Sequence, residues 1–120
     1  MKVFVTRRIP EKGLEILRKE CDEVEVYPYD RIPSKEEIIK GLKGKDGLLC
    51  LLTDSIDKEV INFEPRLKAI SNYAAGYNNI DVKEATRRGI VVMNTPEGNT
   101  ISAAEHTISC LLYTSPSPRD

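Results

Sequence analysis

The feature that most constrains this chain is the beat of its apolar runs. Strand-like segments begin near Lys2, Val24, Gly47, Lys68 and Ile90, at steps of 22, 23, 21 and 22 residues, with helix-like stretches between them. A strand followed by a helix at such regular spacing reads as successive βα units. Units of that kind place the strands parallel and cover the sheet with helices. Five of them nearly exhaust 120 residues, which is one domain's worth of chain.

Local signals agree with that beat. Val3-Phe4-Val5 reads as a short buried strand, and Pro10 suits the first turn of a helix carrying Leu14, Leu17 and Cys21. Val24, Val26 and Tyr27 form a second strand. Ser34 and Glu37 match a capping box, and Ile38, Ile39 and Leu42 give that helix its apolar stripe. Leu48 to Leu52 is apolar throughout, as a central parallel strand buried on both faces requires. Asp57 can cap a short helix carrying Val60 and Ile61, and Leu67 to Ile70 reads as the fourth strand. Asp81 and Glu84 suggest another capping box, Gly89 a helix stop, and Ile90 to Val92 the fifth strand. A last helix is expected from Ser102, with Ile101, Ala104, Ile108 and Leu111 as its stripe. The expected fold is α/β, a flavodoxin-like doubly wound parallel five-stranded sheet with helices on both faces. In such sheets ligands gather beyond the carboxyl ends of the strands. Those ends are Thr6-Arg7-Arg8, Leu52-Thr53-Asp54, Tyr73 to Asp81, and Met93 to Thr100.

Composition narrows the function. Lys plus Arg number 18 and Asp plus Glu 19, a formal net charge of −1 that gives no electrostatic footprint for nucleic acid or an anionic membrane. The sequence has no apolar run long enough to span a bilayer and nothing at its start that reads as a signal peptide. Cys21, Cys50 and Cys110 have no CxxC spacing, so reduced, cytoplasmic thiols are expected. A single histidine, His106, leaves little scope for metal sites or histidine catalysis, and none is expected here. Cys50 inside its apolar strand reads as inert core.

Two stretches could carry chemistry. Asn72 to Asp81 (Asn-Tyr-Ala-Ala-Gly-Tyr-Asn-Asn-Ile-Asp) leaves a strand, passes small residues and enters a capped helix. Small side chains let a ligand approach the backbone, whose N–H groups can cradle a carboxylate. The alternative is a tight loop in which Gly76 and Asn79 serve positive φ. Met93 to Thr107 is a polar loop feeding a helix whose N-terminus could face a cofactor or anion, or could simply be capped.

Together with Asp81-Val82-Lys83-Glu84-Ala85-Thr86-Arg87-Arg88-Gly89-Ile90 between them, these stretches resemble the D-2-hydroxyacid dehydrogenase family, which includes glyoxylate/hydroxypyruvate reductases and D-3-phosphoglycerate dehydrogenases. The resemblance runs from Lys2 to about Ser109. It implies an NAD- or NADP-dependent oxidoreductase that passes a hydride between nicotinamide and the C2 atom of a small 2-oxo or D-2-hydroxy acid. It further implies a dimeric parent of two domains, with a flavodoxin-like substrate domain interrupted by a Rossmann domain. On that resemblance Ala75 and Gly76 match the backbone amides that hold the substrate carboxylate. Leu52 and Thr53 match the segment that closes over the substrate, and Thr100 matches a position near the cofactor. Asn79 and Asp81 are expected to shape the loop. No catalytic residue is expected in this chain, since the arginine, glutamate and acid histidine of the family belong further downstream; His106 is not that histidine. Residues 1–100 are thus expected to be the N-terminal part of the substrate domain, and 101–109 the start of a linker helix to the NAD(P)-binding domain. Residues 110–120 resemble translated read-through of a sequencing adapter, so that segment is expected to be a non-native tail. The 120-residue fragment is expected to be inactive alone.

The substrate can be narrowed. Phosphoglycerate dehydrogenases often place arginines near the end of the third strand and before the small-residue loop, where this chain has Leu51 or Leu52 and Asn72. Asn94 to Glu105 looks more like the phosphoglycerate enzymes. The balance favours glyoxylate or hydroxypyruvate, with 3-phosphoglycerate next. The rival reading is a stand-alone flavodoxin-like signalling or interaction module. A receiver domain would need an acidic pair after the first strand, where Arg7 and Arg8 stand. A flavodoxin would need a hydroxyl-rich phosphate loop there, which Thr6 to Pro10 does not supply.

Overall fold

The computed structural model describes residues 2–9, 11–73 and 78–94. Within them the chain alternates β1 (Lys2–Val5), α1 (Glu11–Glu20), β2 (Glu23–Val26), α2 (Lys35–Leu42), β3 (Gly47–Leu51), α3 (Lys58–Phe63), β4 (Ala69–Tyr73), α4 (Val82–Arg87) and β5 (Val91–Asn94). The strands form one parallel sheet in the order β2-β1-β3-β4-β5. That is the order of flavodoxin-type doubly wound sheets. The expected last helix, Pro10, His106, Cys110 and the tail at 110–120 lie outside the described residues.

Strand alternation sorts the core into two layers. Val3, Val5, Leu49 and Ala69 point to one face, where they meet Leu14 and Leu17 of α1. Phe4, Leu48, Cys50 and Ile70 point to the other and meet Ile38 and Leu42 of α2, Val60 and Ile61 of α3, and Ala85 of α4. The helices divide this way because right-handed crossovers place α1, which steps from β1 to its outer neighbour β2, opposite the helices that step the other way. Each fully buried Leu or Ile contributes about 2 kcal/mol of apolar transfer to this packing.

Local chemistry sets the element ends. Ser34 caps α2 with a complete capping box: its hydroxyl accepts from Glu37 N–H at 3.2 Å, and the Glu37 carboxylate accepts from Ser34 N–H at 2.9 Å. Asp57 caps α3 by accepting from Val60 N–H at 3.1 Å. Gly89, at φ 73°, ends α4 in the left-handed region that favours glycine. At Gly41 the backbone of α2 lies so close to Phe4 that an added Cβ would stand 2.4 Å from its ring. The outer strand β2 is four residues long, and its Glu23 and Glu25 both reach the buried Lys45 ammonium, at 3.0 and 3.1 Å.

Four expectations need adjustment, one of them the fifth strand, which runs Val91–Asn94 and not Ile90–Val92. Leu52 is not in the third strand: β3 stops at Leu51 and Leu52 is 55% exposed. The fourth strand runs Ala69–Tyr73, not Leu67–Ile70. Leu67 instead closes a turn by donating to Glu64 O at 3.1 Å while packing into the core. The Asp81–Glu84 box is half made. Asp81 accepts from Glu84 N–H at 3.0 Å, but Asp81 N–H donates to Ile56 O at 2.9 Å, and the Glu84 carboxylate turns to Arg87 and Asn62.

Candidate functional site at the carboxyl edge of the sheet

From β1 the chain turns outward to β2, and from β3 it turns the opposite way to β4. The ends of β1 and β3 therefore flank the switch point of the sheet, where such folds open a crevice. The side chains there are cross-linked. Thr6 Oγ1, following β1, donates to Asp54 Oδ2, following β3, and Leu51 N–H donates to the same oxygen at 2.8 Å. Asp54 is 1% exposed, and its Oδ1 meets no hydrogen-bond partner among the described residues.

The third and fourth strand ends are tied by Asn79. Its amide lies 3.0 Å from Leu51 O and 2.9 Å from Asp54 O as donor. It also faces the Asn72 amide reciprocally, at 2.9 Å and 3.2 Å. Asn72 is fully buried at the end of β4, and its Oδ1 also lies 3.5 Å from the Cys50 thiol. Just beyond, Ile56 N–H donates to Asn79 O at 2.8 Å, and Ile56 and Ile80 form a parallel bridge. The short segments that enter α3 and α4 thus run zipped together at Ile56 and residues 79–81.

This frame places two of the five sequence-assigned residues. Leu52 and Thr53 are exposed at the tip of a turn closed by Asp54 N–H donating to Leu51 O at 3.0 Å. Leu51 and Asp54 anchor the turn on either side, so its tip projects from a fixed base. Ala75, Gly76 and Thr100 lie outside the described residues. Ala75 and Gly76 belong to the connection whose two ends, Asn72 and Asn79, are joined by the paired amides. Asn79 does not serve positive φ, because no described residue other than glycine has it; its side chain does the work. Sequence reasoning missed Thr6 and Asp54 as partners, since they are 48 residues apart and meet only because β1 and β3 are neighbours.

The charges around this edge are largely committed. Arg7, half-buried after β1, pairs with Asp30 at 2.8 Å. Glu37 accepts from Ser34 N–H, from the Tyr27 hydroxyl at 2.6 Å and from Arg31, and those bonds hold its carboxyl down at about 2. Burial, with the Glu37 bond behind it, pushes the Tyr27 hydroxyl up to about 12. Burial also pushes the Cys50 thiol well above its usual value, and the Asp54 charge adds to the rise. A shallow depression of about 700 Å³ lies beside the α3 N-terminus, but its Lys35 is already paired with Asp57 at 2.8 Å and Glu59 at 2.9 Å. The better-organised ligand edge is the one beyond β1, β3 and β4.

A doubly wound parallel sheet with a firmly framed switch point defines the class: an open α/β domain of the kind that receives small ligands beyond its strand ends. The chain belongs to the D-isomer specific 2-hydroxyacid dehydrogenase family, whose catalytic-domain model matches residues 3–116. It is 50% identical over 111 residues to glyoxylate reductase from Thermofilum pendens, an alignment covering 92% of this chain and 33% of that protein. A solved protein of Pyrococcus horikoshii OT3 superposes with a TM-score of 0.71 at 40% identity, covering 78% of this chain and 27% of that one. The NAD⁺-bound 3-phosphoglycerate dehydrogenase of Entamoeba histolytica gives a TM-score of 0.67 at 32% identity, covering 80% and 33%. The chain spans about a third of the length of the curated relatives it matches.

Proposed function

We propose that this chain forms the substrate-carboxylate side of an NAD(P)-dependent enzyme that interconverts a small 2-oxo acid and its D-2-hydroxy acid. Family membership together with the frame at the switch point carries this reading. The turn bearing Leu52 and Thr53 is tied through Asn79 to Asn72 near the end of β4, the strand that precedes Ala75 and Gly76 in sequence. Backbone amides at Ala75 and Gly76 would hold the substrate carboxylate, with Leu52 and Thr53 closing over it. Residues 1–100 act as this half-site, and 101–109 lead toward the cofactor domain.

The described βα turns do not fit a dinucleotide. None carries the Gly-x-Gly-x-x-Gly turn that brings a pyrophosphate onto a helix N-terminus, so no hydride step is derived from them. Thr100 is the position we assign to the cofactor side, the rest of that site lying in another domain. Glyoxylate or hydroxypyruvate is favoured over a phosphorylated acid. At the two places suited to phosphate-binding arginines stand an exposed Leu52 and an Asn72 whose amide is engaged by Asn79. Cys21 and Cys50 are free thiols, which suits a cytoplasmic protein, and a homodimeric parent is part of the same reading. Among the described residues no helix is long and apolar enough to cross a membrane.

The test joins residues 1–109 to the remaining part of the Thermofilum pendens glyoxylate reductase. The joined enzyme is expected to oxidise NAD(P)H with glyoxylate, and the 120-residue chain alone is not. Gly76→Val should then raise KM for glyoxylate by about 10- to 100-fold, the worth of a charge-assisted hydrogen bond, by blocking approach to the backbone. No glyoxylate-dependent turnover in the joined enzyme, or an unchanged KM in Gly76→Val, would refute the assignment.

A further inference from the structure

We propose that Asn79 is a positioning residue for the substrate half-site, setting the spacing between the Leu52–Thr53 turn and the connection that carries Ala75 and Gly76. This rests on the function proposed above and adds to it a residue that sets substrate affinity without touching substrate.

The geometry singles Asn79 out. One primary amide reaches three acceptors belonging to two different strand ends: Leu51 O and Asp54 O after β3, and Asn72 Oδ1 on β4. Its own Oδ1 accepts from Asn72 Nδ2. Two donors and one acceptor on a short stem are what this place requires. Aspartate has no donor, serine is too short to span all three acceptors, and glutamine's extra methylene would push the amide past them. Backbone shape does not explain the residue, since its φ is not positive. Nor is the side chain needed merely to hold α3 beside α4. The backbone bonds Ile56 N–H to Asn79 O and Asp81 N–H to Ile56 O, at 2.8 and 2.9 Å, do that without it. What remains for the side chain is the relative placement of Leu51, Asp54 and Asn72, which flank the Leu52–Thr53 turn and precede Ala75 and Gly76 in the chain.

The chain extends past Asn79. Asp54, whose backbone carbonyl it engages, is fixed by its carboxylate to Thr6 and so to β1. Three consecutive strand ends, β1, β3 and β4, are therefore registered by side chains at the edge where the sheet's own ladder stops. A displacement of about 1 Å between two substrate-holding groups can cost on the order of a hundred-fold in turnover of dilute substrate, so such registration has a measurable consequence.

The experiment uses the joined enzyme described above. Asn79→Asp and Asn79→Ala are compared with the unaltered form for KM and kcat on glyoxylate from about pH 8 to about pH 5, with urea unfolding as a check on folding. In Asn79→Asp a carboxylate faces two carbonyls and an amide oxygen, so KM should rise about ten-fold or more at pH 8 while kcat changes less than about three-fold. Because carbonyl and amide oxygens facing a half-buried carboxyl disfavour its charged form, the protonated acid regains one donor as the pH falls, and KM should recover toward that of the unaltered enzyme. Asn79→Ala should show the rise without the recovery. Asn79→Ser, which keeps one donor, serves in place of any variant that does not fold, with an intermediate KM expected. A KM unchanged in every folded variant overturns the proposal, as does an equal loss in Asn79→Asp and Asn79→Ala with no pH-dependent recovery. If the unaltered joined enzyme itself shows no turnover with glyoxylate, it is the function proposed above that fails.

Discussion

Replacing Gly41 with alanine tests how closely helix and sheet are fitted behind the site. Alanine alone favours a helix interior over glycine by about 1 kcal/mol. Here the new Cβ would stand 2.4 Å from Phe4 Cε1 and Cζ and 2.7 Å from Cδ1. Non-bonded carbons settle about 3.5–4.0 Å apart, so α2 must lift by roughly 1 Å or the ring must turn. The ring is 2% exposed and packed among Ile38, Leu42 and Leu48, which leaves it little room. Overfilling a packed core costs about 1–3 kcal/mol, which matches or outweighs the helix gain. Gly41→Ala should therefore destabilise by up to about 2 kcal/mol and lower Tm by about 3–6 °C for each kcal/mol lost in a domain of this size. The assay is urea and thermal unfolding of the purified chain followed by far-UV circular dichroism. Combining it with Phe4→Leu should recover about 1 kcal/mol relative to the sum of the single changes, since the shorter side chain vacates the contested space. A Gly41→Ala protein more stable by about 1 kcal/mol, with no coupling to Phe4→Leu, would show that the ring gives way and would refute the reasoning.

Two other predictions follow from the same packing. Glu37 and Glu84 are held near 2 against an ordinary 4.5, Glu37 by the Ser34 backbone and Tyr27, and Glu84 by Arg87 and Asn62. A carboxyl depressed in the folded state stabilises fully above its unfolded value and ceases to as the pH falls through the folded one. The urea midpoint should hold steady down to about pH 5 and decline between about 4.5 and 2; in Glu37→Gln with Glu84→Gln the decline should be shallower, and an identical decline would count against both assignments. Cys50, fully buried with its thiol pushed up, should resist a thiol-reactive reagent in the native state and label only on unfolding, whereas the half-buried Cys21 should label without it. Peptide mass spectrometry after timed labelling distinguishes them, and native labelling of Cys50 at the rate of Cys21 would contradict its burial.

The sheet was legible because burial on both faces leaves an unmistakable mark: Leu48 to Leu51 admits almost no other reading. Caps at Ser34 and Asp57 were equally plain, since both halves of each contact lie within one turn of helix. Legibility failed where polar residues are buried. Ser71 and Asn72 carry no apolar signal, yet they extend β4 because the ladder to Leu49 and Cys50 continues through them. Leu52 misled in the opposite sense, an apolar residue that leaves the sheet for the surface. Small residues and a family resemblance singled out Ala75 and Gly76, which lie outside the described residues. The Thr6–Asp54 and Asn79 bonds could not be recognised, because each depends on which strands become neighbours. Asn79 in particular looked like a residue chosen for backbone conformation, and its role became apparent only from the acceptors arranged around its amide.

The outer strand β2 has a consequence for how the chain meets other chains. An exposed strand flank offers unpaired amides and carbonyls to any extended chain nearby, including one still emerging from synthesis. Here that flank is only four residues long and alternates Glu-Val-Glu-Val, and Lys45 draws both glutamates in beside the backbone. A newcomer seeking to pair there would have to accept two carboxylates and a buried ammonium beside it in exchange for very few hydrogen bonds. The β2 edge of the sheet is thereby guarded against pairing with a second chain.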